Sequence, residues 1–95
     1  MIPREPYRFR LYVAGDTPNS ALAIANLKAI CEAHLAGRHE IEIVDVFREP
    51  KLALADRVLI TPALTKLSPA PVRGIVGTLT DTTTVLRALG LKVPD

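Results

Sequence analysis

The sequence predicts a single α/β domain over residues 1–95, with a mixed four-stranded sheet and helices on both faces. Three observations support this fold class. Apolar residues alternate over residues 8–13 and again over residues 40–46, an Ala- and Leu-rich segment of helical period lies between them, and two short apolar segments flank a proline-rich turn. The 95 residues are enough for one modest core, and 48% hydrophobic with 23% charged residues is an ordinary globular composition.

Two strands flank the longest predicted helix. In residues 8–13, Phe9, Leu11 and Val13 alternate with Arg10 and Tyr12, which is the period of a strand with one core-facing side. Residues 40–46, EIEIVDV, form the second strand, whose branched residues occupy both faces near its end. A strand, a helix of crossover length and a strand predict two parallel strands in a right-handed unit.

The helix between these strands is the strongest local prediction. Thr17 or Ser20 can cap its start, and Pro18 suits its first turn. Gly37 follows as the natural stop, because glycine enters the left-handed region without a Cβ penalty. Apolar residues at helical spacing predict the core-facing side, which consists of Ile24, Leu27, Cys31 and Leu35.

The second half begins with a short predicted helix over residues 49–56. Two apolar segments, residues 59–64 and 72–76, then predict an antiparallel hairpin with its turn at residues 68–71. A last helix starts at the N-cap Asp81, buries Val85, Leu86 and Leu89, and stops at Gly90. The complete order, β-α-β-α-β-β-α, is the thioredoxin-like arrangement.

Prolines make this second half hard to commit to one local structure. Proline cannot donate to a sheet ladder, and the peptide bond before it isomerises slowly. The prolines concerned are Pro62, Pro69 and Pro71. Thr61–Pro62 occupies the place where thioredoxin-like folds keep a cis-proline that exposes backbone for pairing, and a simple strand-edge proline is the alternative.

The same region is locally cationic. No acidic residue occurs from position 57 to position 80, so three cations lack a sequence-adjacent counter-charge; they are Arg57, Lys66 and Arg73. Solvated strand faces are the usual place for isolated cations. An exposed, positively charged sheet surface that binds an anionic protein is the alternative that the acid-free region favours.

Several function classes find no support in the residues. A net charge of +2 is too weak a bias to indicate a nucleic-acid partner. Cys31 is the single cysteine, which excludes an internal disulfide and a C-x-x-C redox pair, and its place on the apolar side predicts a buried thiol. His34 and His39 lack companion ligands at metal-binding spacing. No nucleotide-binding motif or catalytic triad is visible, so neither an enzyme nor a cofactor or metal is expected.

The chain carries no apolar run long enough to span a bilayer and no secretory signal. A soluble cytoplasmic protein without a membrane partner is therefore expected.

Four stretches resemble the KaiB family of clock proteins. They are LYVAGDTPNS at 11–20, IVDVFREPKLA at 43–53, ITPALTKLSPAPVRGIVG at 60–77 and LTD at 79–81. The similarity runs from about position 7 to position 90 without evident gaps. The AGxTPNS turn and the TPxLxKxxPxPVRxIxG block are long and specific.

The resemblance implies a non-enzymatic timing component. Proteins of this family bind the N-terminal ATPase ring of a KaiC hexamer and, in full systems, sequester KaiA and displace output histidine kinases. Arg57, Lys66 and Arg73 align with cations that face KaiC in the family. Members also interconvert between a ground-state fold with a rearranged C-terminal half, found in tetramers, and the thioredoxin-like fold that binds KaiC. A dimer or tetramer of this chain is accordingly a further implied assembly.

Two C-terminal residues depart from the family pattern. Ala88 and Gly90 stand where the family often has glycine and aspartate. Alanine is better than glycine in a helix by about 1 kcal/mol, so both changes favour the terminal helix of the thioredoxin-like state. The short tail leaves open whether the chain serves a daily oscillator or a reduced system without KaiA.

The alternative function is a freestanding thioredoxin-like sensory or stress-response adaptor without redox activity. Thiol transfer is disfavoured by the missing cysteines.

Overall fold

The computed structural model describes residues 5–94 and places the elements in the predicted order. The elements are β1 (Tyr7–Val13), α1 (Pro18–His34), β2 (His39–Asp45), α2 (Pro50–Ala55), β3 (Ala63–Ser68), β4 (Arg73–Val76) and α3 (Thr82–Ala88).

The four strands form one mixed sheet in the order β2-β1-β3-β4. β1 runs parallel to β2 and antiparallel to β3, and β3 is antiparallel to β4. Leu11 in the middle of the sheet therefore has Ile43 on one side and Leu64 on the other. This topology confirms the predicted thioredoxin-like fold class.

Hydrophobic clusters cover both faces of the sheet. The main cluster packs α1 and α3 against Phe9, Leu11, Val13 and Leu64. A smaller cluster on the opposite face joins Tyr12 to Val44 and to Ala53 of α2. The helices thus lie on both faces, as predicted. The structure adds that Tyr12 is fully buried, because α2 covers the side of β1 that carries Arg10 and Tyr12.

The long helix α1 has the predicted start and core-facing side. Thr17 is the N-cap residue, but its side chain makes no capping bond. Its hydroxyl donates instead to Ser20 Oγ (2.7 Å), which accepts from the backbone N–H of Ala14 (3.1 Å) and so ties the helix to the end of β1. Three of the four predicted residues are buried, whereas Ile24 is half-buried; the buried ones are Leu27, Cys31 and Leu35.

The third strand was predicted to begin at residue 59, which is wrong, because β3 begins at Ala63. Residues 59–62 are not in a strand, and Leu59 is 93% exposed. Pro62 has no N–H to donate to a ladder, and β3 begins directly after it. The Pro62 carbonyl still accepts from the Gly77 N–H (2.8 Å), next to the Ala63–Val76 pair at the open end of the hairpin.

The terminal helix is confirmed. Asp81 caps α3 by accepting from the Thr84 N–H (3.2 Å), and Val85, Leu86 and Leu89 are buried in the main cluster. Gly90 ends the helix with φ +74°, in the left-handed region.

Candidate partner-binding surface

An apolar groove of about 530 Å³ lies between the end of α2 and the outer strand β4. We call it the α2–β4 groove; its lining includes Arg57, Val58, Leu59, Ile60, Ile75 and Val76. Three of its hydrophobic side chains are exposed, namely Leu59, Ile60 and Val76. Within residues 5–94, no strand pairs with the outer edge of β4. Exposed apolar side chains beside an open strand edge are typical of a docking surface.

Arg57 lies at the rim of this groove in a strained conformation. It follows α2 with φ 56°, where glycine is the usual residue. Its N–H donates to the Leu54 carbonyl (3.1 Å), and the Val58 N–H donates to the Ala53 carbonyl (2.9 Å), which completes a Schellman-type helix end. In the left-handed region, a residue other than glycine lowers the stability of the fold by about 1–2 kcal/mol. The chain therefore keeps a guanidinium at the groove at the expense of stability.

Lys66 and Arg73 lie opposite each other in the β3–β4 ladder. Arg73 is exposed, but Lys66 is only 4% exposed, so the expectation that both cations lie on an open surface is wrong for Lys66. The reason is packing on the α1–α3 side of the sheet, where Lys66 Nζ lies 5.7 Å from the centre of the Tyr7 ring. Burial, and secondarily the nearby charge of Arg73, lower the pKa of Lys66.

The three predicted cations consequently do not form one patch. Directly paired residues share a face of a sheet, and Lys66 is two positions from Leu64, which belongs to the main cluster. Lys66 and Arg73 are therefore on the α1–α3 side. Arg57 lies on the opposite side, where α2 ends. The free edge of β4 runs between the two locations.

A polar network holds the end of α2 against the sheet. The buried Tyr12 hydroxyl donates to the Asp56 carboxylate, and Arg10 bridges Asp56 (3.1 Å) and Glu42 (2.7 Å). The hydrogen bond from Tyr12 lowers the pKa of Asp56, with a smaller contribution from Arg10, and burial raises the pKa of Tyr12. Because Asp56 immediately precedes Arg57, the network also positions the guanidinium at the groove.

Sequence reasoning did not identify this network. The alternation in β1 does place Arg10 and Tyr12 on one side of the strand. The position of Asp56 beside them depends on how α2 folds back over that side.

The lowered pKa of Asp56 predicts a loss of stability in acid. A folded pKa below the ordinary value of 3.8 means that the stabilisation is complete above that value and is lost as the pH falls through the lower one. Asp56→Asn should therefore reduce the free energy of unfolding near about pH 7, and its difference from wild type should shrink at about pH 3. Urea unfolding at both values measures this; an undiminished difference in acid would contradict the assignment.

The residues predicted to be conformational lie around the β3–β4 hairpin and the end of α3. Pro62 is buried, Pro69 and Pro71 lie in the connection between the two strands, and the peptide bonds before all three are cis. Ala88 is the last residue of α3. A Cβ atom at Gly90 would lie 3.1 Å from Arg73 Nε, so the absence of a side chain there gives Arg73 room to pack against the helix end.

The thiol is placed as predicted. Cys31 is buried in the main cluster, and burial raises its pKa to about 11, which is the opposite of the shift a redox-active thiolate requires.

In the part of the chain that the structure describes, no three His, Cys, Asp or Glu side chains are grouped as metal ligands. No helix among residues 5–94 has the length and hydropathy needed to cross a membrane.

Solved structures share this fold. The N-terminal domain of Synechococcus elongatus SasA superimposes with a TM-score of 0.77 and 24% identity, covering 100% of this chain and 93% of that domain. Mitochondrial thioredoxin 3 from Saccharomyces cerevisiae has a TM-score of 0.71 and 14% identity, covering 92% of this chain and 79% of its own. At these identities the comparison concerns the fold alone, which it confirms.

Sequence relatives identify the family. The circadian clock oscillator protein KaiB of Synechococcus elongatus is 46% identical over 91 residues, which is 96% of this chain and 89% of the relative. KaiB of Prochlorococcus marinus strain MIT 9313 is also 46% identical, covering 76% of its own length. These similarities support a role as a clock component. Residues 10–91 match the KaiB domain model, and the chain therefore belongs to the KaiB family.

Proposed function

We propose that this protein is a non-enzymatic clock component that binds the N-terminal ATPase ring of a KaiC-type hexamer and modulates its phosphorylation and ATPase cycle. The observation that carries the proposal is the α2–β4 groove, where exposed apolar side chains, an open strand edge and a guanidinium held in a strained conformation occur together. Membership in the KaiB family supports the choice of partner.

The two exposed cations have the direct roles in this proposal. Arg57 binds a carboxylate at the groove, and Arg73 binds a second one on the other side of β4. Lys66 is too buried to reach a partner directly in this conformation, so its role is to add positive charge beside Arg73. A partner segment pairs with the free edge of β4 and places its apolar side chains against Leu59, Ile60 and Val76.

Fold switching is part of the proposal. The thioredoxin-like state is the binding-competent one, and the alternative is a ground state with a rearranged C-terminal half in a dimer or tetramer. Pro62, Pro69 and Pro71 lie where the rearrangement occurs, while Ala88 and Gly90 favour the helix of the binding-competent state. KaiA or a clock-output histidine kinase is a further partner where the source cell contains one.

Complex formation tests the proposal. The protein is mixed with a KaiC-type hexamer and ATP, and size-exclusion chromatography with light scattering follows the mass over hours. We expect a complex heavier than the hexamer alone. The isolated N-terminal ring should also form a complex with the protein, and the isolated C-terminal ring should not. No heavier species with either the hexamer or its N-terminal ring would contradict the assignment.

The second candidate is a thioredoxin-like sensory or stress-response adaptor without redox activity. It is favoured by the thioredoxin-like fold, which the chain shares with the N-terminal domain of Synechococcus elongatus SasA, and by the single buried cysteine, which is unsuited to redox chemistry. Binding to a sensor protein, together with no binding to the KaiC-type ring, would select it.

A further inference from the structure

A second cavity, of about 440 Å³, lies at the end of the sheet where β1 begins. We call it the Tyr7 pocket; its walls include Tyr7, His34, Leu35, Arg38, Leu91 and Lys92. Two of these side chains are cationic and one is an imidazole. Within residues 5–94, no Asp or Glu lines it.

The Arg38 side chain, which lines this pocket, has no described ionic partner. Its Nε atom is buried and has no hydrogen-bond partner among the described residues. The ion pairs of residues 5–94 are formed by Arg8, Arg10 and Arg48, so neither Arg38 nor Lys92 has a carboxylate. A guanidinium that lines a cavity and has no carboxylate partner can donate to an acceptor bound there.

The guanidinium is also held in place. Its central carbon lies 5.7 Å from the centre of the Tyr7 ring, in cation–π contact, and Lys66 Nζ is at the same distance from that ring. Two cations on one ring raise the local positive potential. A guanidinium that is already oriented loses little freedom when its N–H groups engage a planar or tetrahedral oxyanion.

The nearby end of α1 does not oppose an anion strongly. The carbonyl of Leu35, just after the helix, accepts from the Arg38 N–H (2.9 Å) and lies 2.8 Å from His39 Nδ1. This carbonyl oxygen is thus already occupied, which reduces the negative character of the helix end that faces the pocket.

We propose that the Tyr7 pocket binds an oxyanion, a carboxylate or a phosphate group, through Arg38 and Lys92. The half-buried side chain of Leu91 contacts the apolar part of the molecule that carries the group. No residue lines both this pocket and the α2–β4 groove. The inference is therefore independent of the proposed function.

Titration of the full chain with two simple anions tests the pocket. ¹H–¹⁵N spectra are recorded during additions of sodium phosphate and, separately, sodium acetate, with sodium chloride at matched ionic strength as the reference. We expect saturable shifts of the amides of Ala33, Arg38 and Leu91 with at least one of the two anions. Saturable shifts with only one of the two anions identify the oxyanion that the site prefers.

Variants locate the binding group. Arg38→Lys retains the charge but removes the planar set of guanidinium donors, and we expect it to raise the apparent dissociation constant at least tenfold. Lys92→Gln, at an exposed position, should raise it severalfold, and it decides the question if Arg38→Lys does not fold. Arg48→Lys is the matched control and should bind as wild type does.

Three results would overturn the inference. One is a response to phosphate and acetate no different from that to chloride. Another is unchanged affinity in Arg38→Lys, or in Lys92→Gln where that variant decides. The third is a set of saturable shifts centred on Lys66 and Arg73 rather than on the pocket.

Discussion

Arg57→Gly is expected to stabilise the folded protein and to weaken its complex with a KaiC-type hexamer in the same variant. Stability should rise by up to about 1 kcal/mol, because glycine removes the strain of the left-handed conformation at the end of α2. Affinity should fall by about tenfold or more, since the guanidinium at the α2–β4 groove is lost. Urea unfolding measures the first effect and calorimetric titration against the isolated N-terminal ring measures the second.

A variant that gains stability but loses affinity separates the effect on binding from the effect on folding. A destabilised variant that binds poorly could simply be less folded, whereas a stabilised one cannot. Arg48→Gly is the matched control: it removes an arginine whose side chain is 86% exposed and which lies outside the groove, so binding should be unchanged. Wild-type affinity in Arg57→Gly would remove Arg57 from the interface.

Tyr12→Phe is expected to lower the free energy of unfolding by about 2 kcal/mol. A hydrogen bond to a charged group contributes about 1.5–3 kcal/mol, and this hydroxyl donates to the Asp56 carboxylate from a fully buried position. Chemical denaturation measures the change; with a slope of about 1–3 kcal/mol per molar urea, the midpoint should fall by roughly 0.7–2 M.

A double-mutant cycle assigns this loss to the Tyr12–Asp56 pair. The combined Tyr12→Phe and Asp56→Asn variant should lose less than the sum of the single variants, because each removes the same hydrogen bond. Tyr7→Phe is the control, since its ring keeps the contacts with Arg38 and Lys66. Strict additivity of the two losses would contradict this assignment, because the Tyr12 hydroxyl would then stabilise the fold independently of Asp56.

The order of the elements and the main core could be predicted from sequence because both depend on local periodicity. Alternation in β1 identifies the three residues that face α1, and helical spacing identifies Leu27, Cys31 and Leu35. Asp81 and Gly90 mark the two ends of α3 by capping chemistry that acts within one turn. Such features involve residues close in the chain, where pattern and structure coincide.

The candidate surface depended on contacts between residues far apart in the chain. The burial of Lys66 follows from β3 pairing after Pro62 and from the side of the sheet that this register assigns to it. The separation of Arg57 from Arg73 follows from α2 crossing the opposite side. The sequence by itself determined the fold class, the family and which cations are candidates for binding a partner. Only the tertiary structure decided which of them are exposed, because burial depends on elements that pack from elsewhere in the chain.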